Sequence, residues 1–281
     1  MELDEKDIRR FQFTIRDHSD YDFTEYSLTC LRRRLTRILL EYEMDLEQIM
    51  EAMQSDGQFL DGIVKKITVH TTELFRDPNM WKKLKQEVLP AYRNRTGVRI
   101  WHPGCSTGQE VYSMMMLLEE MEMLDQCQIY ASDINQDVLE IAREGTYKYH
   151  FNQSYLENFQ KVLFSEPEQQ VSKLRKQWKK YFHIDETRDM IRMKDFLRNK
   201  PVYKKLDLVK DPNFFLVKFD LIVCRNVIIY FNDDLQNRVF RLFWDNLQED
   251  GTLVLGVHES IMGPCSKRFL KKDSFYQKKP A

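Results

Sequence analysis

The stretch Arg99-Ile-Trp-His-Pro-Gly-Cys-Ser-Thr-Gly-Gln-Glu-Val-Tyr-Ser113 carries the residue types best suited to hold a nucleotide-like ligand. A short apolar run, Val98 to Trp101, leads into a loop bounded by Gly104 and Gly108, and a helical stretch, Glu110 to Leu124, follows at once. Glycine lets the backbone approach a ligand closely, and a helix start presents N–H groups with no partner of their own. The loop has neither the GxxxxGK[ST] pattern that meets a β/γ-phosphate nor the GxGxxG pattern that seats a pyrophosphate. Glu110 instead puts an acid at the helix start. Such a loop suits a cationic or zwitterionic ligand better than a polyphosphate.

Three other segments hold polar residues in suggestive places. Asp133 ends the run Gln128–Ser132, where an acid at the tip of a second strand can accept two hydrogen bonds from a ribose diol. The same residue could instead cap the helix that follows. Thr71-Thr-Glu-Leu-Phe-Arg-Asp-Pro78 offers Arg76, a fixed cation able to hold a carboxylate by two parallel hydrogen bonds. Just before it, His70 could serve as ligand or base, or simply pack. Asp220-Leu-Ile-Val-Cys-Arg-Asn-Val-Ile-Ile-Tyr-Phe231 runs from an apolar strand into Arg225, Asn226 and Tyr230. S-adenosylmethionine (SAM), with its sulfonium and amino-acid tail, is the obvious candidate for the glycine loop. No serine–histidine–acid or cysteine–histidine arrangement stands out, and no cluster has metal-ligand spacing, so no metal is expected.

The elements that must position these residues are of two kinds. Residues 1–70 show helical periodicity: Leu28, Leu31, Leu35, Leu39, Tyr42 and Leu46 form one apolar stripe. Arg33 and Arg37 fall opposite the stripe, with Arg32 and Arg34 on its flanks. Asp56 to Ile67 reads as another helix. Residues 71–281 alternate between strand and helix: Val98–His102, Gln109–Leu124, Gln128–Ser132, Gln136–Glu144, Asp220–Cys224, Asp234–Leu247 and Thr252–Val257. That alternation predicts an α/β, doubly wound, mostly parallel sheet of the Rossmann-like kind behind a small all-helical N-terminal domain. Lys173 to Lys180 reads as a basic helix. A small β-hairpin, Tyr181–Met193, is expected within an inserted subdomain at about 178–196.

Composition narrows the class. Lysine plus arginine number 43 against 44 for aspartate plus glutamate, a balance that argues against a general nucleic-acid binder. Five cysteines without a CxxC pair read as reduced thiols rather than a disulfide frame. Met1 to Arg10 is mostly charged, unlike a secretory leader, and no apolar run is long enough to span a bilayer. A cytoplasmic protein without membrane insertion is expected, and a monomer.

Taken in order, Thr72–Arg76, Gly104–Ser113, Ala131–Asn135 and Asp220–Phe231 resemble the CheR-type methyltransferases, which methylate glutamate side chains of bacterial chemoreceptors. The resemblance covers nearly the whole chain. It implies SAM as cofactor, with contacts at His70, Thr72, Arg76, Gly104, Gly108, Glu110, Asp133, Asp207, Leu208, Cys224, Arg225 and Asn226. It also implies that Arg76 and Tyr230 line the place of methyl transfer, and that a methyl-accepting receptor is the protein substrate. The family pattern has asparagine where His70 and Asp207 stand. Aspartate keeps an acceptor but loses a donor, which predicts weaker cofactor binding. A catalytically weak or silent SAM-binding signalling module is therefore the alternative. The short, glycine-free turn of the hairpin differs from members that dock on a receptor's C-terminal peptide, so docking of that kind is not expected. A methyltransferase acting on RNA or a small molecule is disfavoured by the charge balance and by the lack of an Asn/Asp-Pro-Pro-Tyr/Phe motif. A nicotinamide-dependent oxidoreductase is disfavoured by the missing GxGxxG.

Overall fold

The computed structural model describes residues 3–68, 72–164, 178–211 and 215–279, apart from the side chains of Gln153 and Ser154. Two compact units emerge. One comprises Met1–Val69, Val227–Arg241 and Ile261–Cys265; the other comprises His70–Asn226, Leu242–Ser260 and Ser266–Ala281. The first unit thus takes in two later segments that nothing in residues 1–70 announces.

In the helical unit, α1 (Glu5–His18), α2 (Leu28–Tyr42), α3 (Leu46–Ser55) and α4 (Gly57–Ile67) surround one apolar core. Aspartates start three of them. Asp4 and Asp45 form reciprocal capping boxes with Asp7 and Gln48, and Asp56 accepts from Gln58 and Phe59. The predicted stripe is shorter than expected. Glu43 turns into the left-handed region at φ 54° and ends α2, so Leu46 opens α3 rather than closing the same face. Arg34 also departs from expectation: it is buried beside Leu31, Leu35 and Ile38, while Arg32, Arg33 and Arg37 are exposed.

The second unit begins with α5 (Pro78–Lys83) and then alternates: β1 (Val98–Pro103), α6 (Gln109–Glu120), β2 (Cys127–Asp133), α7 (Gln136–Glu144), β3 (Thr146–Lys148), α8 (Tyr149–Leu163), β4 (Phe182–Asp185), β5 (Met190–Met193), α9 (Asp195–Arg198), β6 (Val202–Lys205) and β7 (Phe219–Cys224). Along the chain come helix α10 (Asp233–Asn246), whose residues through Arg241 belong to the helical unit, and then β8 (Leu247–Leu255), β9 (Phe269–Lys272) and β10 (Phe275–Lys278). A seven-stranded sheet has the order β6-β2-β1-β7-β8-β10-β9. Its first five strands are parallel; β10 pairs antiparallel with β8 and with β9. The expected doubly wound, mostly parallel architecture is present, with an antiparallel hairpin at one edge.

Sequence order reverses beside β1, which lies between β2 and β7. Open α/β sheets bind ligands at such a switch point, beyond the carboxyl ends of the strands. Burial explains why the central strands read as apolar runs: Trp101 of β1 packs its ring 5.1 Å from Phe219 and 5.7 Å from Phe243. Helix α6 is buried from Val111 to Leu118 and stops at Glu120, short of Leu124. Glu122, at φ 57°, turns the chain there toward β2. Strand β8 begins five residues before the expected Thr252, at Leu247. The expected hairpin is β4 and β5, joined by β3 in a separate three-stranded antiparallel sheet. Of the expected basic helix, 173–177 lie outside the described residues, and 178–180 are helical.

Gly108 joins the β1 loop to α6 at φ 90°, and a Cβ there would fall 2.8 Å from the Cβ of Ala142 on α7. Gly108→Ala must therefore strain the backbone and push two helices apart. The expected cost is about 1–3 kcal/mol, read as a lower urea midpoint with unchanged slope. A midpoint equal to that of the unsubstituted protein would show that the contact is relieved without cost.

Candidate functional site

The ends of β1 and β2 are tied together by their own loops. Cys105 N–H donates to the Ser132 carbonyl at 2.9 Å, and Ser106 N–H donates to Asp133 Oδ2 at 2.8 Å. Asp133 Oδ1 accepts from Asn135 N–H at 3.1 Å. The cap of α7 is Asn135, which accepts from Asp137 N–H, so Asp133 does not fill the capping role the sequence allowed. Burial pushes the Asp133 carboxyl up, and the N–H groups of Asn135, Ser106 and Ile134 offset only part of that. Gly104 and Gly108 both adopt positive φ, at 70° and 90°, and Ser106 between them stands at 52°. Non-glycine residues held there mark a loop whose shape the surrounding structure imposes.

Just beyond β7 lies Arg225, whose side chain is 1% exposed. Its guanidinium donates to Glu110 Oε2 at 2.9 Å, to Asp77 Oδ2 at 2.6 Å and to the Arg76 carbonyl at 3.0 Å. Glu110 also meets His102 Nδ1 through Oε1 at 3.2 Å. Burial pushes the Glu110 carboxyl up, but His102 and Arg225 outweigh it and hold the group below the ordinary carboxylate range. The expected acid at the helix start is thus part of an ion-pair network rather than a lone charge.

The Thr72–Asp77 segment is drawn into the same network. Phe75 and Asp77 stand at φ 51° and 58°, and Phe75 N–H donates to Ser113 Oγ of α6 at 2.8 Å. Trp81 Nε1 also donates to the Arg76 carbonyl, at 3.0 Å. Only the Arg76 backbone is committed. Among the described residues, no hydrogen bond or ion pair holds its guanidinium, and its charge acts on Glu73 and Tyr155. Thr72 and Leu208 are half-buried. Asp207 Oδ1 accepts from Val209 N–H at 2.8 Å in the loop after β6.

Three buried polar atoms here have no partner among the described residues: Ser106 Oγ, His102 Nε2 and Arg225 Nε. Orphans of this kind are rare in folded proteins and call for a polar ligand or water. The buried thiols of Cys105 and Cys224 are pushed well up, chiefly by burial and then by nearby carboxylates, so neither is a ready nucleophile.

This arrangement agrees with what known proteins show. Residues 70–151 and 151–275 match the family described as CheR methyltransferase, SAM binding domain. The chain belongs to this family. A methyltransferase of Pseudomonas putida named Cher3 is 33% identical over 242 residues, covering 86% of this chain and 84% of that protein. The chemotaxis protein methyltransferase of Listeria innocua is 26% identical over 275 residues and 97% of each chain. That of Borreliella burgdorferi is 32% identical over 211 residues, 72% of this chain and 68% of its own. As a CheR methyltransferase the protein uses SAM, and the groups gathered here fit it: glycine-opened loops, buried acids, an uncommitted Arg76 guanidinium and three polar orphans among the described residues.

Among the expected site residues, the structure gathers Arg76, Gly104, Gly108, Glu110, Asp133, Cys224, Arg225 and Asn226 at the carboxyl ends of β1, β2 and β7. His70 lies outside the described residues. Tyr230 belongs to the helical unit, where its ring lies 4.4 Å from the buried Arg34 guanidinium. Sequence reasoning missed His102 and Glu259. His102 sat in plain view beside the glycine loop, but a lone histidine in a strand carries no signal of its partner. No helix is long and apolar enough to cross a membrane, and no group of acids, histidines and cysteines could hold a metal, both among the described residues.

The lowered Glu110 carboxyl sets the sign of one pH dependence. Its stabilisation is present above the unfolded value, about 4.3, and is lost as pH falls through the lower folded value. Glu110→Gln should therefore lower stability at pH 7 and flatten the loss of stability between about pH 5 and pH 3. Chemical denaturation across that range measures it. Parallel curves for the two proteins would remove Glu110 from the acid transition.

Proposed function

We propose that the protein transfers the methyl group of SAM to glutamate carboxylates on the cytoplasmic part of a chemoreceptor, giving glutamate methyl esters. The observation that carries this reading is Arg76, a guanidinium left uncommitted, among the described residues, beside a network that engages Glu110, Asp77 and Arg225. It is suited to hold a carboxylate by paired hydrogen bonds.

Bound SAM supplies an electrophilic methyl on a sulfonium. The chain's own residues then have a limited task. Asp133 accepts from ribose hydroxyls, the Glu110–Arg225 network holds the amino-acid tail, and the loop after β6 at Asp207 and Leu208 borders the adenine. Thr72 and His70 complete the cofactor contacts the family pattern implies. A glutamate side chain is ionised near pH 7, its ordinary value being about 4.3, so no general base is required. Catalysis rests on alignment and exclusion of water, which a rigid, ion-paired crevice provides. Cysteines kept as neutral thiols accord with chemistry that needs no protein nucleophile.

The direct test is transfer of labelled methyl from SAM to a receptor cytoplasmic fragment, with base-labile label expected on glutamate. Binding of SAM without transfer to any receptor fragment would favour the silent signalling module. Asp133→Ala should weaken S-adenosylhomocysteine about ten- to hundredfold by calorimetry, since a charged acceptor for two hydroxyls is worth about 1.5–3 kcal/mol. Unchanged affinity in a folded variant would take Asp133 out of the site. Arg76→Ala and Tyr230→Phe should lower single-turnover rates more than melting temperature.

Arg33 and Arg37, one turn apart and exposed on α2, suit attraction of a glutamate-rich helical substrate. Reversing both to glutamate should raise KM for a receptor fragment while S-adenosylhomocysteine affinity stays put. The advantage of the unsubstituted protein should fade with salt, because the Debye length falls from about 10 Å at 0.1 M to about 3 Å at 1 M. Equal KM at low salt would reduce these arginines to a solvated face.

A further inference from the structure

We infer that Glu259 is a positioning residue for the cofactor: its carboxylate clamps the loop after β7 to the end of β8 and so sets where Cys224, Arg225 and Asn226 stand. The inference rests on the reading that this loop borders bound SAM.

Glu259 is a buried carboxylate, 7% exposed, placed four residues past the end of β8. Its Oε2 accepts Asn226 N–H at 2.8 Å and Gly256 N–H at 2.7 Å, so one oxygen joins two loops. Glu259 N–H returns a hydrogen bond to the Gly256 carbonyl at 3.0 Å, which closes a tight turn on itself. Both partners are placed where only this arrangement fits. Asn226 stands at φ 59°, a conformation that needs an external hold in a residue with a side chain. Gly256 has no room for a Cβ, which would lie 2.7 Å from Glu259 Oε2 and 3.1 Å from Asn226 N.

An acceptor oxygen at this reach is the reason for the side chain here. Two backbone N–H groups share one oxygen, which an amide oxygen at the same distance can also accept and a shorter or apolar side chain cannot. Without the clamp, Asn226 would relax toward negative φ and turn the backbone next to Arg225. The guanidinium that holds Glu110 and Asp77 would then be misdirected, although no atom of Glu259 need touch the cofactor.

Calorimetry with S-adenosylhomocysteine, beside steady-state kinetics and melting curves, tests this. Glu259→Ala should weaken S-adenosylhomocysteine at least tenfold, and Glu259→Asp, which keeps the charge but falls short by a methylene, about as much. Glu259→Gln keeps an acceptor oxygen at the same reach and should restore affinity to within about threefold. The loss should fall on KM for SAM more than on kcat, whereas partial unfolding lowers apparent kcat at unchanged KM. If the alanine variant does not fold, the aspartate variant carries the expectation. A folded alanine or aspartate variant that binds as tightly as the unsubstituted protein overturns the inference, as does failure of glutamine to rescue. Absence of binding by the unsubstituted protein would instead overturn the SAM reading itself.

Discussion

The site depends on a single buried guanidinium. Arg225 donates to a carboxylate at the start of α6, to a carboxylate ahead of α5 and to the backbone carbonyl just before that second acid. Two stretches far apart in sequence are thereby fixed to the carboxyl end of β7. Taking such a charge out of water is costly, and removal of one partner from a buried pair typically costs about 3–5 kcal/mol because the others are left stranded. The crevice therefore holds its shape all-or-none. That suits a reaction in which three reacting atoms must lie in line.

Backbone strain follows the same logic. Non-glycine residues at positive φ cluster where the network is densest: Phe75 and Asp77 ahead of α5, Ser106 in the glycine loop, Asn226 beyond β7. Each would relax if free, and each is held by a named bond, Phe75 by Ser113 Oγ, Ser106 by Asp133, Asn226 by Glu259. These four stand in loops at the carboxyl ends of the strands, while Glu43 and Glu122 turn the chain at helix ends away from the site. Pre-organisation of this kind leaves less ordering to be done when a ligand arrives.

Much of this was legible in the residues alone. The apolar runs at Val98 and Asp220 are buried central strands because both faces of a parallel sheet are covered, whereas the run at Gln128 alternates at its start, Gln128 exposed beside buried Ile129. Gly104 and Gly108 announced their loop for the reason that makes them necessary, positive φ and the close approach of Ala142. What was not legible depends on long-range pairing. Nothing in Leu28–Leu46 shows that Glu43 would break the stripe, since a left-handed residue there need not be glycine. Arg34 looked like its exposed neighbours and is buried under tertiary packing with Tyr230. Glu259 follows a histidine in an ordinary polar turn, and its role exists only because Asn226 lies beside it in space.

Asp207, one of the two departures from the family pattern, sits in a turn that its own bonds explain. Its Oδ1 accepts Val209 N–H at 2.8 Å, its carbonyl accepts Asp211 N–H at 2.8 Å, and its own N–H donates to Asp211 Oδ2 at 2.8 Å, a local turn in which these bonds use the side chain only as an acceptor. An asparagine would make the same turn with its amide oxygen, because the turn asks nothing of the nitrogen. The loop after β6 thus keeps its path with either residue. What the exchange alters is the second carboxylate position, where a donor has become an acceptor. On the proposed reading that this loop borders the adenine, the exchange alters how the cofactor is held and leaves intact the crevice that Arg225 builds.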